Sequence, residues 1–86
     1  MNLTYPDTRP DIALGDRRLR VLVVDDDADV VAFLVENLTA DRFDVFSAAS
    51  GADALREVVA QAPDLLLVDE GLPDMSGLDV ITTIRL

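Results

Sequence analysis

The sequence predicts an α/β fold built on a parallel sheet, and three features of the chain carry that prediction. Two predominantly apolar runs of buried-strand length lie at residues 20–24 and 64–68, and each is followed directly by aspartate. Segments whose apolar residues recur at helical spacing follow these runs. A further short strand at 44–48 completes an alternation of three strands with three helices. This alternation favours parallel strands joined by right-handed crossovers.

The first predicted helix spans residues 28–40, directly after the first strand. An acid at Asp27 or Asp29 stands where helix N-termini favour negative charge. Its predicted apolar face consists of Val30, Val31, Leu34, Val35 and Leu38. The helix therefore begins beside the acidic end of the first strand.

The second helix is bounded by a capping pair and a proline. Ser50, with Asp53 three residues on, resembles a capping box at its start. Pro63 ends the helix, and the third strand follows at once. The residues predicted to be buried on this helix are Leu55, Val58, Val59 and Ala62.

A loop containing Leu72 and Pro73 separates the third strand from the third helix. Ser76 and Asp79 again place a hydroxyl and an acid where a helix begins. The apolar residues predicted along this helix are Val80, Ile81 and Ile84.

Composition narrows the kinds of function. With 86 residues the chain forms one small domain, and its net charge of -10 argues against binding nucleic acid or an anionic membrane. The absence of cysteine and histidine excludes thiolate or imidazole metal sites, disulfides and serine–histidine triads. No apolar stretch is long enough to span a membrane, so we expect a cytoplasmic location.

Residues 1–18 are predicted to form a flexible N-terminal arm, because prolines and a glycine interrupt a stretch without periodicity. The domain itself is expected to occupy residues 19–86. Arg17, Arg18 and Arg20 are interpreted as a solvated entrance to the sheet. All seven basic residues are arginine, so the chain contains no lysine.

Acidic residues follow two strands at one edge of the predicted sheet. Asp25 and Asp26 follow the first strand and Asp69 follows the third, and the carboxyl ends of parallel strands lie side by side. Three ionised carboxylates about 5 Å apart, at an effective dielectric near 20, repel by roughly 3 kcal/mol per pair. Either one stays protonated or a cation neutralises them. Because only oxygen ligands are available, Mg2+ is the natural choice, and a shielded aspartate can then attack phosphorus.

Two other interpretations of these aspartates stay open at this point. Aspartates at strand ends often cap the following helix, and one strand followed by an aspartate is a weak signal. A calcium loop is also conceivable, since Asp25, Asp27 and Asp29 alternate correctly, but Val30 stands where that loop needs glycine. The spacing of these aspartates does not by itself show whether they cap a helix or take part in phosphoryl chemistry.

Residues 19–86 resemble the first half or more of a response-regulator receiver domain of two-component signalling. The resemblance rests on three motifs, which are VLVVDDD at 21–27, LLVD at 66–69 and LPDMSG at 72–77. It implies a doubly wound, CheY-like parallel sheet, here with three strands, two helices and part of a third.

The same resemblance assigns the acidic residues. Asp25 and Asp26 are the Mg2+-binding pair, and Asp69 is the phosphoacceptor that also contacts the metal. The backbone carbonyl of Gly71 supplies a further ligand. The phosphoryl donor is then a sensor histidine kinase or a phosphotransfer protein, and the chain is a signalling domain, not a turnover enzyme.

The chain departs from the family pattern in three ways. Family members have five strands, with Ser or Thr ending the fourth and Lys ending the fifth, whereas this chain stops in its third helix and lacks lysine. Glu70 adds negative charge directly after the acceptor, where an apolar residue is common. We therefore expect a piece of a longer regulator. Its third strand is then an apolar edge, through which we expect self-association.

Two other functions remain as alternatives. A receiver-like module used only for protein contacts would keep the fold without phosphorylation. A phosphohydrolase of the haloacid dehalogenase type also begins with an apolar strand and an Asp-x-Asp pair, which Asp25 and Asp27 satisfy. However, Ala28 and Asp29 differ from the residues that come after this pair in that family, and the lysine it needs is missing.

Overall fold

A three-stranded parallel sheet organises the fold in a computed structural model that describes residues 18–85. The elements in chain order are β1 (Arg20–Val24), α1 (Ala28–Ala40), β2 (Asp44–Ala48), α2 (Gly51–Gln61), β3 (Leu65–Val68) and α3 (Gly77–Arg85). The strand order is β2-β1-β3, so β1 is the central strand. The predicted parallel α/β fold is confirmed.

The register of the sheet makes the strands end level with one another. Val24 pairs with Ala48 of β2 on one side and with Val68 of β3 on the other. One more hydrogen bond follows on each side, because the Asp25 N–H donates to the Ala48 carbonyl at 3.1 Å and the Asp69 N–H donates to the Val24 carbonyl at 2.8 Å. The residues that follow β1 and β3 therefore start from fixed, adjacent positions.

Helices cover both faces of β1. Leu22 and Val24 point to the layer that contains α2 and α3, while Val21 and Val23 contact the layer of α1. All four side chains are buried. Burial on both faces explains why this strand is continuously apolar instead of alternating.

Helix α1 begins at the predicted acid. The Asp27 carboxylate accepts hydrogen bonds from the Asp29 and Val30 backbone amides, at 2.9 and 3.3 Å, which makes it the N-cap. Leu38 is buried against the sheet, as predicted. Val30 departs from the predicted apolar face, since it is 39% exposed at the end of the helix next to β3.

Helix α2 is capped as predicted, but fewer of its residues are buried than predicted. The Ser50 hydroxyl accepts a hydrogen bond from the Asp53 N–H at 3.2 Å. The helix contacts the sheet through Ala54, which is fully buried. The predicted burial of Val59 and Ala62 is wrong: Val59 is 85% exposed because it lies about 140° around the helix from Ala54. Ala62 is also exposed, and it is the C-cap of the helix with a left-handed backbone, φ 47.

The solvated-entrance interpretation is wrong for Arg20. Its Nε donates to the Gln61 carbonyl at 2.8 Å and its guanidinium lies 4.7 Å from the Phe46 ring centroid. Arg20 thereby ties the start of β1 to the end of α2. Arg18 is exposed, as expected, and forms an ion pair with Asp44 at 3.2 Å.

The predicted flexible arm, residues 1–18, lies outside the described residues apart from Arg18. Arg17 also lies outside them, so both interpretations stay predictions. None of the helices in the described part of the chain is long and apolar enough to cross a membrane.

We expect Leu22→Ala to lower the free energy of unfolding by about 2–5 kcal/mol, because it leaves a cavity on the central strand. Val59→Ala is the control, with an expected change within about 0.5 kcal/mol because Val59 is exposed. Urea unfolding followed by circular dichroism measures both. Equal losses in the two variants would contradict the placement of the core.

Candidate functional site

Three aspartates meet at the carboxyl edge of the sheet. Asp25 and Asp26 follow β1 and Asp69 follows β3. One carboxylate oxygen from each lies within 4.8 Å of the others. Asp25 and Asp69 are half-buried and Asp26 is exposed. The structure thus brings together the three side chains that the sequence placed at one edge.

The neighbouring Asp27 has a different role. Its carboxylate caps α1, as described above, and its backbone N–H donates to the Asp25 carboxylate at 3.0 Å. This hydrogen bond orients Asp25 while Asp27 itself stays out of the cluster. The capping role is therefore confirmed for Asp27, while the role of Asp25 and Asp26 as site residues stays a prediction.

The loop between β3 and α3 is folded back on itself. Gly71 and Ser76 form an isolated antiparallel bridge, and the Gly77 N–H donates to the Glu70 carbonyl at 3.2 Å. A Cβ on Gly71 would lie 3.9 Å from an Asp69 carboxylate oxygen, so Gly71 lies beside the acidic cluster. The role of its carbonyl as a metal ligand stays a prediction.

Gly77 contacts the backbone of Asp69 directly. A Cβ at position 77 would lie 2.5 Å from the Asp69 carbonyl oxygen, closer than side chains approach. The first turn of α3 therefore packs against the residue that follows β3. Gly77 ends the LPDMSG motif of the sequence, but only the structure shows the physical reason for a glycine there.

Asp74 is a residue whose contacts the sequence did not indicate. Its two carboxylate oxygens accept hydrogen bonds from the Gly51 and Ala52 amides, at 2.8 and 2.9 Å. The hydrogen bond from Ala52, followed by that from Gly51, lowers the pKa of Asp74 below its ordinary value of 3.8. Because the partners of Asp74 lie more than twenty residues away in the chain, the sequence gives no local signal for these contacts.

Among the described residues, no side chain forms an ion pair with the aspartate cluster. Within residues 18–85 the ion pairs are Arg18 with Asp44 and Arg56 with Asp53, neither of which involves the cluster. An open cleft of about 790 Å³ between α1 and α2 has Asp25 and Asp26 among its lining residues. The carboxylates are thus accessible to a cation from solvent.

Comparison with known proteins decides the family. A family model described as the response regulator receiver domain matches residues 21–86. The chain belongs to the response regulator receiver domain family. This confirms the predicted family, and it favours the receiver interpretation over the haloacid dehalogenase one.

Individual relatives agree with this assignment. The transcriptional regulatory protein KdpE of Mycobacterium tuberculosis is 45% identical over 65 residues, which cover 76% of this chain and 29% of KdpE. The chemotaxis response regulator CheY4 of Vibrio cholerae superposes with a TM-score of 0.78 at 26% identity, over 80% of this chain and 57% of that one. The predicted CheY-like fold is confirmed.

A third relative has been solved in two complexes. The response regulator TrrA of Thermotoga maritima, in complex with Mg2+-BeF, has a TM-score of 0.74 and 34% identity, over 78% of this chain and 58% of that one. A structure of histidine kinase ThkA in complex with TrrA matches with a TM-score of 0.73. This receiver domain chain spans about three tenths of the length of its curated relatives.

We expect Gly77→Ala to destabilise the domain, because the new methyl group would displace the Asp69 backbone. Overpacking costs about 1–3 kcal/mol, which exceeds the gain of about 1 kcal/mol from higher helix propensity. Gly71→Ala is the matched control, since its Cβ would make only an ordinary contact. Chemical unfolding of both variants tests this, and a Gly77→Ala variant as stable as the wild type would contradict the close packing.

Proposed function

We propose that this receiver domain accepts a phosphoryl group on Asp69. The observation that carries the proposal is the convergence of three carboxylates within 4.8 Å, in a chain of the response regulator family. Asp69 is the proposed acceptor because it directly follows β3 and is half-buried beside the other two acids. The donor is a phosphohistidine of a sensor histidine kinase or a phosphotransfer protein, or a small molecule such as acetyl phosphate.

The proposed transfer is an in-line displacement at phosphorus. A carboxylate oxygen of Asp69 forms the new P–O bond while the P–N bond to the donor histidine breaks, and the released imidazole takes a proton from solvent. With acetyl phosphate the bond that breaks is P–O and acetate leaves. The product is an acyl phosphate on the domain itself, so we propose that the domain is a phosphoacceptor in signalling and not a turnover enzyme.

We further propose that Mg2+ occupies the cluster, held by Asp25, Asp26 and Asp69 with the Gly71 carbonyl. One carboxylate oxygen of each aspartate lies within 4.8 Å of the others, and carboxylate oxygens are ligands that Mg2+ prefers in proteins. When bound, the ion neutralises charge that otherwise repels the anionic phosphoryl group. The Mg2+-BeF complex of TrrA supports this assignment.

The proposed partner and location follow from the same relatives. A histidine kinase as partner is supported by the complex of ThkA with TrrA. A cytoplasmic location is part of the proposal, because curated relatives are named transcriptional regulatory proteins. We propose that this segment itself binds neither nucleic acid nor membrane, in keeping with its net charge of -10.

We expect one phosphoryl adduct when the full chain is incubated with acetyl phosphate and Mg2+, detected by intact-mass spectrometry. Omission of Mg2+ should abolish the adduct, because the charge of the carboxylates is then unshielded. Asp69→Asn should also abolish it, and Asp79→Asn on the exposed start of α3 is the control that should retain it. Absence of an adduct on the wild type would favour the alternative of a scaffold used only for protein contacts.

We also propose that the isolated chain self-associates through β3. Among the described strands, β3 pairs with β1 alone, and all four of its residues are only half-buried. Apolar grooves adjoin it on both faces, one of about 270 Å³ containing Leu67 and Leu34, and one of about 300 Å³ containing Leu66 and Ile84. An apolar strand with one unpaired edge among the described strands favours pairing with a second copy.

Light scattering and thermal melting of the 86-residue chain test this pairing. We expect a dimer or larger species for the wild type, and more monomer for Leu67→Lys, because a lysine beside the strand edge disfavours pairing. Val59→Lys on the exposed face of α2 is the control that should leave association unchanged. A monomeric wild type that melts cooperatively would contradict the proposal.

A further inference from the structure

The Asp74 side chain joins the loop that follows the proposed acceptor to helix α2, which precedes the acceptor in the chain. Asp74 lies in the loop between β3 and α3, and its carboxylate binds the Gly51 and Ala52 amides at the N-terminus of α2. Both oxygens are used, one for each amide. A charged acceptor at a helix N-terminus is favoured by the amide hydrogen bonds and by the helix dipole.

The same junction has a second, apolar contact. Met75 packs against the Cα of Gly51, where a Cβ would lie 2.6 Å from the methionine sulfur. A larger residue at position 51 would displace the Met75 side chain from this contact. The contact of the loop with α2 therefore depends on a hydrogen-bonded acid and on the missing side chain of a glycine.

The other end of the loop is fastened to the acceptor. Gly77 packs against the Asp69 carbonyl, and Gly71 pairs with Ser76 across the loop. Gly71 lies beside the Asp69 carboxylate, as described above. The loop is thus fixed at the acidic cluster on one side and at α2 on the other, with Asp74 as its charged contact to the helix.

We propose that Asp74 is a positioning residue, which holds the loop against α2 and thereby fixes Gly71 at the metal site. The inference rests on the proposed Mg2+ site and adds a coupling between that site and α2. Because coupling between two sites is reciprocal, bound Mg2+ should in turn stabilise the N-terminus of α2. Residues that orient metal ligands in this way affect metal affinity without touching the ion.

Ser50 provides a matched control. Its hydroxyl caps the same helix through the Asp53 N–H, but it comes from the loop before α2, and among the described hydrogen bonds its side chain has none with residues 70–76. Ser50→Ala and Asp74→Ala each remove a cap from one helix N-terminus. Only the second also releases the loop, so the two variants separate a positioning role from a merely structural one.

The experiment measures Mg2+ affinity by calorimetric titration of the full chain, and amide hydrogen exchange by mass spectrometry without metal. We expect Asp74→Ala to bind Mg2+ about tenfold more weakly and to exchange faster across residues 70–76. Asp74→Asn, which keeps the size of the side chain, should show the same direction with a smaller effect. Ser50→Ala should match the wild type within about twofold in affinity and should leave exchange of residues 70–76 unchanged.

Each outcome has one meaning. Equal Mg2+ affinity and equal loop exchange in the Asp74 and Ser50 variants overturn the positioning role while leaving the proposed metal site intact. A wild type that binds no Mg2+ overturns the proposed site, and the metal part of this inference with it, whereas loop exchange still reports whether Asp74 holds the loop. If Asp74→Ala does not fold, Asp74→Asn supplies both measurements.

Discussion

The pairing of β1 with a parallel strand on each side is the constraint on which the rest of the structure depends. It buries Val21, Leu22, Val23 and Val24 between two layers of helices. It also makes β1 and β3 end level, with the Asp69 N–H bonded to the Val24 carbonyl. The same backbone ladder that forms the core therefore determines where the acidic residues begin. A shift of this register by one residue would exchange the buried faces of the strand and separate the aspartates.

Convergence of like charges is unfavourable for folding, and the proposed cation would offset this cost at the strand edge. Three carboxylates within 4.8 Å repel one another, and no ion pair within residues 18–85 offsets this repulsion. Under the proposed function, a bound cation relieves this repulsion and allows an anionic phosphoryl group to approach. The acidic cluster, the oxygen-only ligand set and the family assignment are thus consistent with one chemistry.

Few side chains hold the loop after β3 in place beside the proposed site. Gly77 and Gly51 allow close packing because they have no side chain. The Asp69 backbone occupies the space where a Cβ at position 77 would lie, and Met75 occupies that space at position 51. Asp74 is the polar counterpart, bonded to two amides of α2. Helix α2 contributes none of the three carboxylates, yet it supports the loop that lies beside them. The proposed site therefore extends beyond the strand ends.

The sequence by itself determined the elements, their order and the acidic residues, because these depend on patterns within a few residues. A continuous apolar run marks a strand buried on both faces, and Asp27 and Ser50 cap helices that begin next to them. Tertiary structure alone decided the exposure of Val59 and the contacts of Arg20 and Asp74. Helical spacing predicts which residues lie on one face of a helix, but it does not predict how much of that face the sheet covers. A polar side chain whose partner lies twenty or more residues away has no local pattern, so its role is set only when the chain has folded.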